Sequence, residues 1–428
     1  MFAALHNRNY RYFFAGQVLS NSGTWIQRIA QDWLVLSLTG STLAVGITTA
    51  MQFLPVLLFG LVGGVLADRL PKRQLLMATQ GAMGVLAAAL AGLTLSGAVQ
   101  VWHIYVFALL LGLVTVVDNP ARQTFVVEMV GKADLGNAVS LNAANFQTAR
   151  LIGPAIAGVL MAAVGAGWAF AVNAVSFVPV ILGLLAMRAS ELRRGPRVPR
   201  EKGQLRAGLR YVGGRLDLIW PIVLVGFIGT FGFNFPTVLS GFAYSVYHVG
   251  PGMYGLLNTA LAAGSLVGAL LAARRPRPRL RLLVGAALGF GVLEATAAAA
   301  PWFWLFAAVL TVVGLLGLTF NTASNALVQL RTAPEMRGRV MSLFMMVFAG
   351  GTPLGAPLVG WVTEQFGPRV GLVACGLVSA IAAAAVGLVL ARIGNLRLRL
   401  DWQEHALVFV PRQRERQPRG EVQVVRAS

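Results

Sequence analysis

The sequence predicts an all-α membrane protein, with twelve transmembrane helices in two pseudo-symmetric six-helix bundles. Three observations predict it. The first is composition: the 428-residue chain is 57% hydrophobic and 12% charged, against about 25% charged in a soluble domain. Apolar runs close to the ~20 residues that a spanning helix needs recur at roughly 11–38, 42–66, 74–96, 102–118, 138–163, 168–187, 217–239, 251–273, 281–300, 302–323, 339–363 and 369–391. The second is an internal repeat. Without a gap, Asn119, Ala121, Val126, Gly136, Ser140, Leu141, Phe146, Gly153 and Gly158 align with Asn321, Ala323, Val328, Gly338, Ser342, Leu343, Phe348, Gly355 and Gly360. Parallel repeats of this kind relate the two halves of some carriers. The third is charge placement. With the N-terminus inside, all 35 Lys and Arg fall in cytoplasmic segments except Arg28, Arg150 and Arg369. Such one-sidedness sets the orientation of a polytopic chain. It also accounts for the net charge of +20 without a nucleic-acid partner.

Taken in order, the elements divide into residues 1–187, an N-terminal bundle; 188–216, a basic linker with Pro196 and Pro199; 217–391, a C-terminal bundle; and 392–428, a basic tail. Both termini are expected in the cytoplasm, in the cytoplasmic membrane. The first apolar run is too long for a cleavable signal and stays as a span. Trp102, Trp168, Trp302 and Trp304 fall at outer interfaces, where aromatic belts form. The tail either contacts anionic lipid or is simply solvated.

Helix 1 carries Gln17, Asn21, Thr24, Arg28 and Gln31 at alternating four- and three-residue steps, one helical stripe. Asp32 is four residues after Arg28, so the two can pair. A charge near a helix centre costs roughly 2.5–3.5 kcal/mol even on insertion scales, so this stripe should face a wet cavity. Helix 7 repeats the pattern more weakly with Thr230, Asn234 and Thr237. Asp32 is either a titrating carboxylate or a static partner of Arg28. Arg150, just before Gly153-Pro154, either attracts an anion, neutralises a cavity carboxylate or posts a hydrogen bond between helices. Glu294 falls in helix 9 and is a further carboxylate that could titrate. Gly60/Gly64, Gly264/Gly268 and Gly351/Gly355 are small-residue pairs that let helices approach closely.

The loop between helices 2 and 3 reads Gly63-Gly64-Val65-Leu66-Ala67-Asp68-Arg69-Leu70-Pro71-Lys72-Arg73. Gly64, Asp68, Arg69, Lys72 and Arg73 resemble the signature loop of the major facilitator superfamily, with Pro71 where that family has Gly. Asp118-Asn119-Pro120-Ala121-Arg122-Gln123, Asn137-Ala138, residues 149–154, Asn21-Ser22-Gly23-Thr24-Trp25 and Gln31-Asp32-Trp33 are similar to its enterobactin exporter-like branch of transmembrane secretion effectors. The resemblance covers nearly all of residues 1–391. It implies the major facilitator fold and efflux of siderophores, drugs or metabolites, thought to be in exchange for protons. It implies a cytoplasmic latch of Asp68, Asp118 and Arg122, joined by Arg337 or Arg339. The helix-4 Arg motif of drug/proton antiporters is not evident.

The sequence holds no Walker loop, no metal-ligand spacing and no nucleophile–base set. Its lone Cys375 excludes a disulfide framework. The expectation is therefore a bacterial proton-coupled carrier, not an enzyme. It has no cofactor or metal, is monomeric, exports a small amphipathic molecule, and takes its energy from a gradient. A non-transporting sensor or assembly protein on the same fold, and an importer, are the alternatives.

Overall fold

A computed structural model describes residues 2–131, 133–192, 204–273, 279–393, 396–401 and 406–411. Residues 193–203 of the expected linker, 274–278 of the basic loop after the eighth span, and 394–395, 402–405 and 412–428 of the tail lie outside the described residues.

The N-terminal half contains α1 (Arg8–Thr39), α2 (Thr42–Arg69), α3 (Lys72–Leu95), α4 (Val101–Val130), α5 (Leu135–Val164) and α6 (Ala166–Ala186). After α7 (Gln204–Gly213), the C-terminal half contains α8 (Leu216–Phe227), α9 (Phe235–Gly241), α10 (Pro251–Ala273), α11 (Leu280–Ala297), α12 (Phe303–Arg331), α13 (Arg337–Gly350), α14 (Thr352–Phe366) and α15 (Pro368–Ile393). Among the described residues, eleven segments are long and apolar enough to cross a membrane. The twelfth, α1, has 32 residues but is diluted by its polar stripe. Its ends are nonetheless well made. The Asn7 side chain accepts from Tyr10 N–H at 3.0 Å, and Gly40 closes the helix in the left-handed region at φ 66°, as glycine does without strain.

Each half packs on itself, α1 against α5 and α6, α2 against α4, α10 against α12 and α11 against α15. The halves meet chiefly along α2–α14 and α5–α10. One end of the bundle holds Asp68, Arg69 and Arg337 and is the basic face. The other holds the turns at Gly40, Gly97, Gly165 and Gly367, all with positive φ, and is the far face. Trp102, Trp168, Trp302 and Trp304 ring its rim, each more than half exposed. Arg369 there donates to the Ala298 and Ala300 carbonyls at 3.1 and 3.5 Å, tying off the end of α11.

Several elements depart from the sequence expectation. The helices expected to end at 118 and 323 run on to Val130 and Arg331. The reason is continued burial: Ala121, Phe125, Val126 and Met129 pack on Tyr10 and Phe13 in a separate apolar cluster at the basic face. The linker is not plain coil, since α7 packs on α13 with Val212 buried. Arg215 follows it and donates to Tyr211 Oη at 2.8 Å and to both Asp217 oxygens at 2.9 and 3.2 Å. Those bonds, the Asp217 one foremost, raise the Arg215 pKa. The tail holds an antiparallel hairpin, β1 (Leu396–Asp401) with β2 (Ala406–Pro411), in a register that sets Leu398 opposite Phe409.

The expected helix at 217–239 is broken. A π turn at Ile228–Gly232 separates α8 from α9, and a second follows at Phe242–Val246. Pro236 lies in the first turn of α9 and cannot donate a backbone bond. Asn234 takes up the slack: its side-chain amide donates to the Thr230 and Phe231 carbonyls at 2.6 and 3.1 Å. Likewise the expected helix at 339–363 divides at Gly350-Gly351, where Gly351 and Gly355 press on Thr230. On α2 the close approach is made by Gly63 against Val116; Gly60 has only Val56 of its own helix, at 4.0 Å. Gly264 and Gly268 do pack, on Thr311 and Leu315 of α12.

Candidate substrate cavity

A cavity of about 300 Å³ lies between the halves, lined from α1, α2 and α5 on one side and from the Ile228–Gly232 turn and α9 to α14 on the other. That places it at the low end of the roughly 300–1,000 Å³ typical of small-molecule sites. Irregular backbone is tolerated at membrane depth where it lines a cavity, and the break around Asn234 does so.

Five of the seven residues expected here line it: Arg28, Gln31, Asp32, Arg150 and Asn234. Asn21 and Thr24 do not. The Thr24 hydroxyl donates to the Ser20 carbonyl at 2.8 Å, and Asn21 faces Arg122 towards the basic face at 3.4 Å. One stripe on α1 thus serves two neighbourhoods, because a 32-residue helix is longer than the cavity is deep.

Arg28 and Arg150 come from different helices to the same indole. Their guanidinium carbons lie 5.2 and 5.8 Å from the Trp25 ring, and Arg28 is also 6.0 Å from Phe53. A cation over an aromatic face gains about 0.5–2 kcal/mol, which offsets part of the cost of placing it in the bundle. Trp25 is held edge-on by Phe146 at 5.7 Å. Asp32 is 8% exposed, and Tyr254 Oη of α10 lies 3.5 Å from it and 3.4 Å from the Pro236 carbonyl. Trp33 stacks on Tyr254 at 5.5 Å. The outer part of α1 is thereby joined to the second half. Across the cavity stand Phe233, Phe290 and Phe348, with centroids 5.3 and 5.8 Å from Phe233. Asn234 Oδ1 and Thr237 Oγ1 there are buried without a partner.

The far face is shut by contacts between the halves. Glu364 of α14 accepts from the Ser41 hydroxyl and, at 3.0 Å, from Leu43 N–H. It caps the N-terminus of α2, where a carboxylate also meets the positive end of the helix dipole. Thr42 Oγ1 donates to the Gly360 carbonyl at 3.0 Å. Gly158 of α5 faces Gly252 and Gly255 of α10 so closely that a Cβ on it would meet the Gly252 oxygen at 2.9 Å.

The profile of the transmembrane secretion effectors matches residues 1–424. The chain belongs to this family, within the major facilitator superfamily. It is similar to the staphyloferrin A transporter of Staphylococcus aureus, 25% identical over 413 residues, covering 93% of this chain and 99% of that protein. It is 28% identical over 400 residues to the multidrug efflux pump Tap of Mycobacterium bovis, covering 89% and 92%. With the enterobactin exporter EntS of Citrobacter koseri it shares 27% over 398 residues, covering 91% and 92%. In fold it matches a bacterial homologue of the human lysosomal transporter Spinster in an inward-facing conformation, TM-score 0.73 at 15% identity, covering 89% and 96%. It also matches the nucleoside transporter NupG, TM-score 0.67 at 12%, covering 89% and 99%. This secretion effector is therefore a multi-pass secondary transporter and not an enzyme.

The gating residues expected from the sequence lie towards the basic face of the first half. Asp118 and Arg122 pair within α4. Asp118 accepts from Thr79 and Gln80 of α3, both at 2.8 Å, and Arg122 donates to Gln17 of α1 at 2.7 Å. Lys72 is bound to Glu128 at 2.6 Å, and Arg73 donates to the Leu184 and Leu185 carbonyls at the end of α6. These bonds stitch the first half together. Gly64 is buried in α2, while Asp68 and Arg69 are exposed at the basic face. Glu294 is buried in α11, outside the cavity, and its Oε2 lacks a partner. Sequence reasoning missed Asn258, Phe290 and Asn321 in the lining, and Tyr254 beside Asp32. Only Asn321 had a signal, its match to Asn119 in the repeat.

Proposed function

We propose that this protein exports a small amphipathic molecule across the cytoplasmic membrane by alternating access, with protons moving through Asp32. Residues 1–187 and 217–391 act as the two rocking bodies, joined by the 188–216 linker, and a monomer suffices. The single observation that carries the reading is a charged cavity between halves that shut it off at the far face through breakable contacts at Ser41, Glu364 and Gly158. With both termini in the cytoplasm, this is the inward-facing arrangement. The opposite arrangement needs the Glu364 cap to release and the basic face, where Asp68, Arg69 and the Arg337–Arg339 segment lie, to close. The relatives' roles, staphyloferrin A transport, enterobactin export and multidrug efflux, support export of a small organic molecule.

Flux in proteoliposomes under an imposed pH gradient, with a panel of siderophores and drugs, tests it. Gradient-driven movement that is lost in Asp32→Asn supports the reading. Unchanged flux in Asp32→Asn and Arg150→Ala removes these residues from the mechanism. Net uptake under a cell-like gradient makes the protein an importer. No movement of any panel member favours the sensor alternative.

A further inference from the structure

We infer that the cavity is built for an amphipathic organic anion, its acid group held by Arg28 and Arg150 beside Trp25 and its apolar or ring-bearing body laid on the opposite wall. The inference rests on the carrier reading and names the substrate class of the same cavity. Charge balance is the first support. Among the described lining residues, Arg28, Arg150 and Asp32 are the ionisable ones. With Asp32 ionised, one positive charge stays uncompensated, and a bound monoanion brings the cavity to neutrality. A cation would add to the excess, and a neutral guest would leave it standing in a low-dielectric interior.

Unspent donors are the second support. Among the described residues neither Arg28 nor Arg150 forms a hydrogen bond or an ion pair, and both rest against Trp25. Arg28 Nε is buried with no acceptor. An aromatic face holds a guanidinium without consuming its N–H groups, and that planar fork fits a carboxylate or phosphate bidentately. Asp32, the resident carboxylate, does not close the pair: Tyr254 Oη is its hydrogen-bond neighbour, at 3.5 Å.

The third support is the facing wall. Phe233, Phe290 and Phe348 form an apolar surface, broken only by polar atoms such as Asn234 Oδ1 and Thr237 Oγ1, which have no partner. Oδ1 accepts only, so the guest that fits carries a hydroxyl or N–H on its apolar body, away from its acid group.

Equilibrium binding to the full chain in nanodiscs tests the assignment with three probes of one shape: naphthoate, naphthamide and naphthylmethylamine. The expected order is naphthoate tightest, by about tenfold or more over naphthamide, the size of one charge-assisted bond, with the amine weakest. Arg28→Gln and Arg150→Gln, checked for folding by thermal unfolding, should each erase the naphthoate preference. The wild-type order is informative even if a variant fails to fold. Equal binding of acid and amide, or tighter binding of the amine, overturns the anion assignment and leaves the carrier reading standing. No binding of any probe overturns the cavity itself as the substrate site.

Discussion

The two halves contribute unlike walls to one cavity. The first half brings all the charge, Arg28 and Asp32 from α1 and Arg150 from α5, on helices that run unbroken through the site. The second brings amides, hydroxyls and phenyl rings on α9 and the chain just before it, in a span interrupted by two π turns, and on α10 to α14. The repeat that relates the halves in sequence therefore preserves their path and not their chemistry. A charged wall is held stiffly because misplaced charge is costly at membrane depth. A neutral wall can bend, and in α8–α9 one side-chain amide replaces the backbone bonds that bending gives up.

The comparison can be broken most severely at Arg150. Arg150→Ala should weaken anion binding on the order of a hundredfold, since charge-assisted bonds contribute about 1.5–3 kcal/mol each; a change under threefold would mean that the charged wall does not bind. Next comes the broken span. Asn234→Leu strips the Thr230 and Phe231 carbonyls of their donor and should cost about 1–3 kcal/mol in thermal unfolding. Asp32→Asn leaves two cations with no resident carboxylate, so naphthoate should bind about tenfold more tightly and lose its response to pH. Weaker binding would make Asp32 a ligand for the substrate and not a counter-ion. Glu364→Gln weakens the cap on α2 by about 1 kcal/mol, and a Thr49→Cys reporter in the cavity should be labelled roughly fivefold faster from the far face. Smallest is Asn258→Ala on the neutral wall. Its amide is already bonded to the Tyr254 carbonyl at 3.0 Å, so affinity should move by about two- to threefold, read with the same probes.

The polar stripe on α1 was legible in the sequence because charge in an apolar run has so few places to go. Arg28, Gln31 and Asp32 line the cavity as expected, and Arg150 needed only its isolation in an apolar helix to be noticed. Asn21 and Thr24 share the periodicity and still fall outside, since a helical stripe specifies a side of the helix but not a depth. Tyr254 and Phe290 carried no signal, an ordinary tyrosine and phenylalanine in apolar helices, until packing set them beside Asp32 and Phe233.

Composition, run length and the placement of Lys and Arg were enough for the spans, and the motif around Asp68 and Arg69 pointed to the family. These are answers to one local question, whether a segment prefers lipid or water, and transfer energies add along the chain. Whether Arg28 and Arg150 would share Trp25, whether Glu364 would cap a helix of the other half, and where the seventh span would break were settled by packing between residues more than a hundred positions apart, as the Ser41–Glu364 bond is. No local energy encodes such contacts; they exist only once the helices have chosen their neighbours.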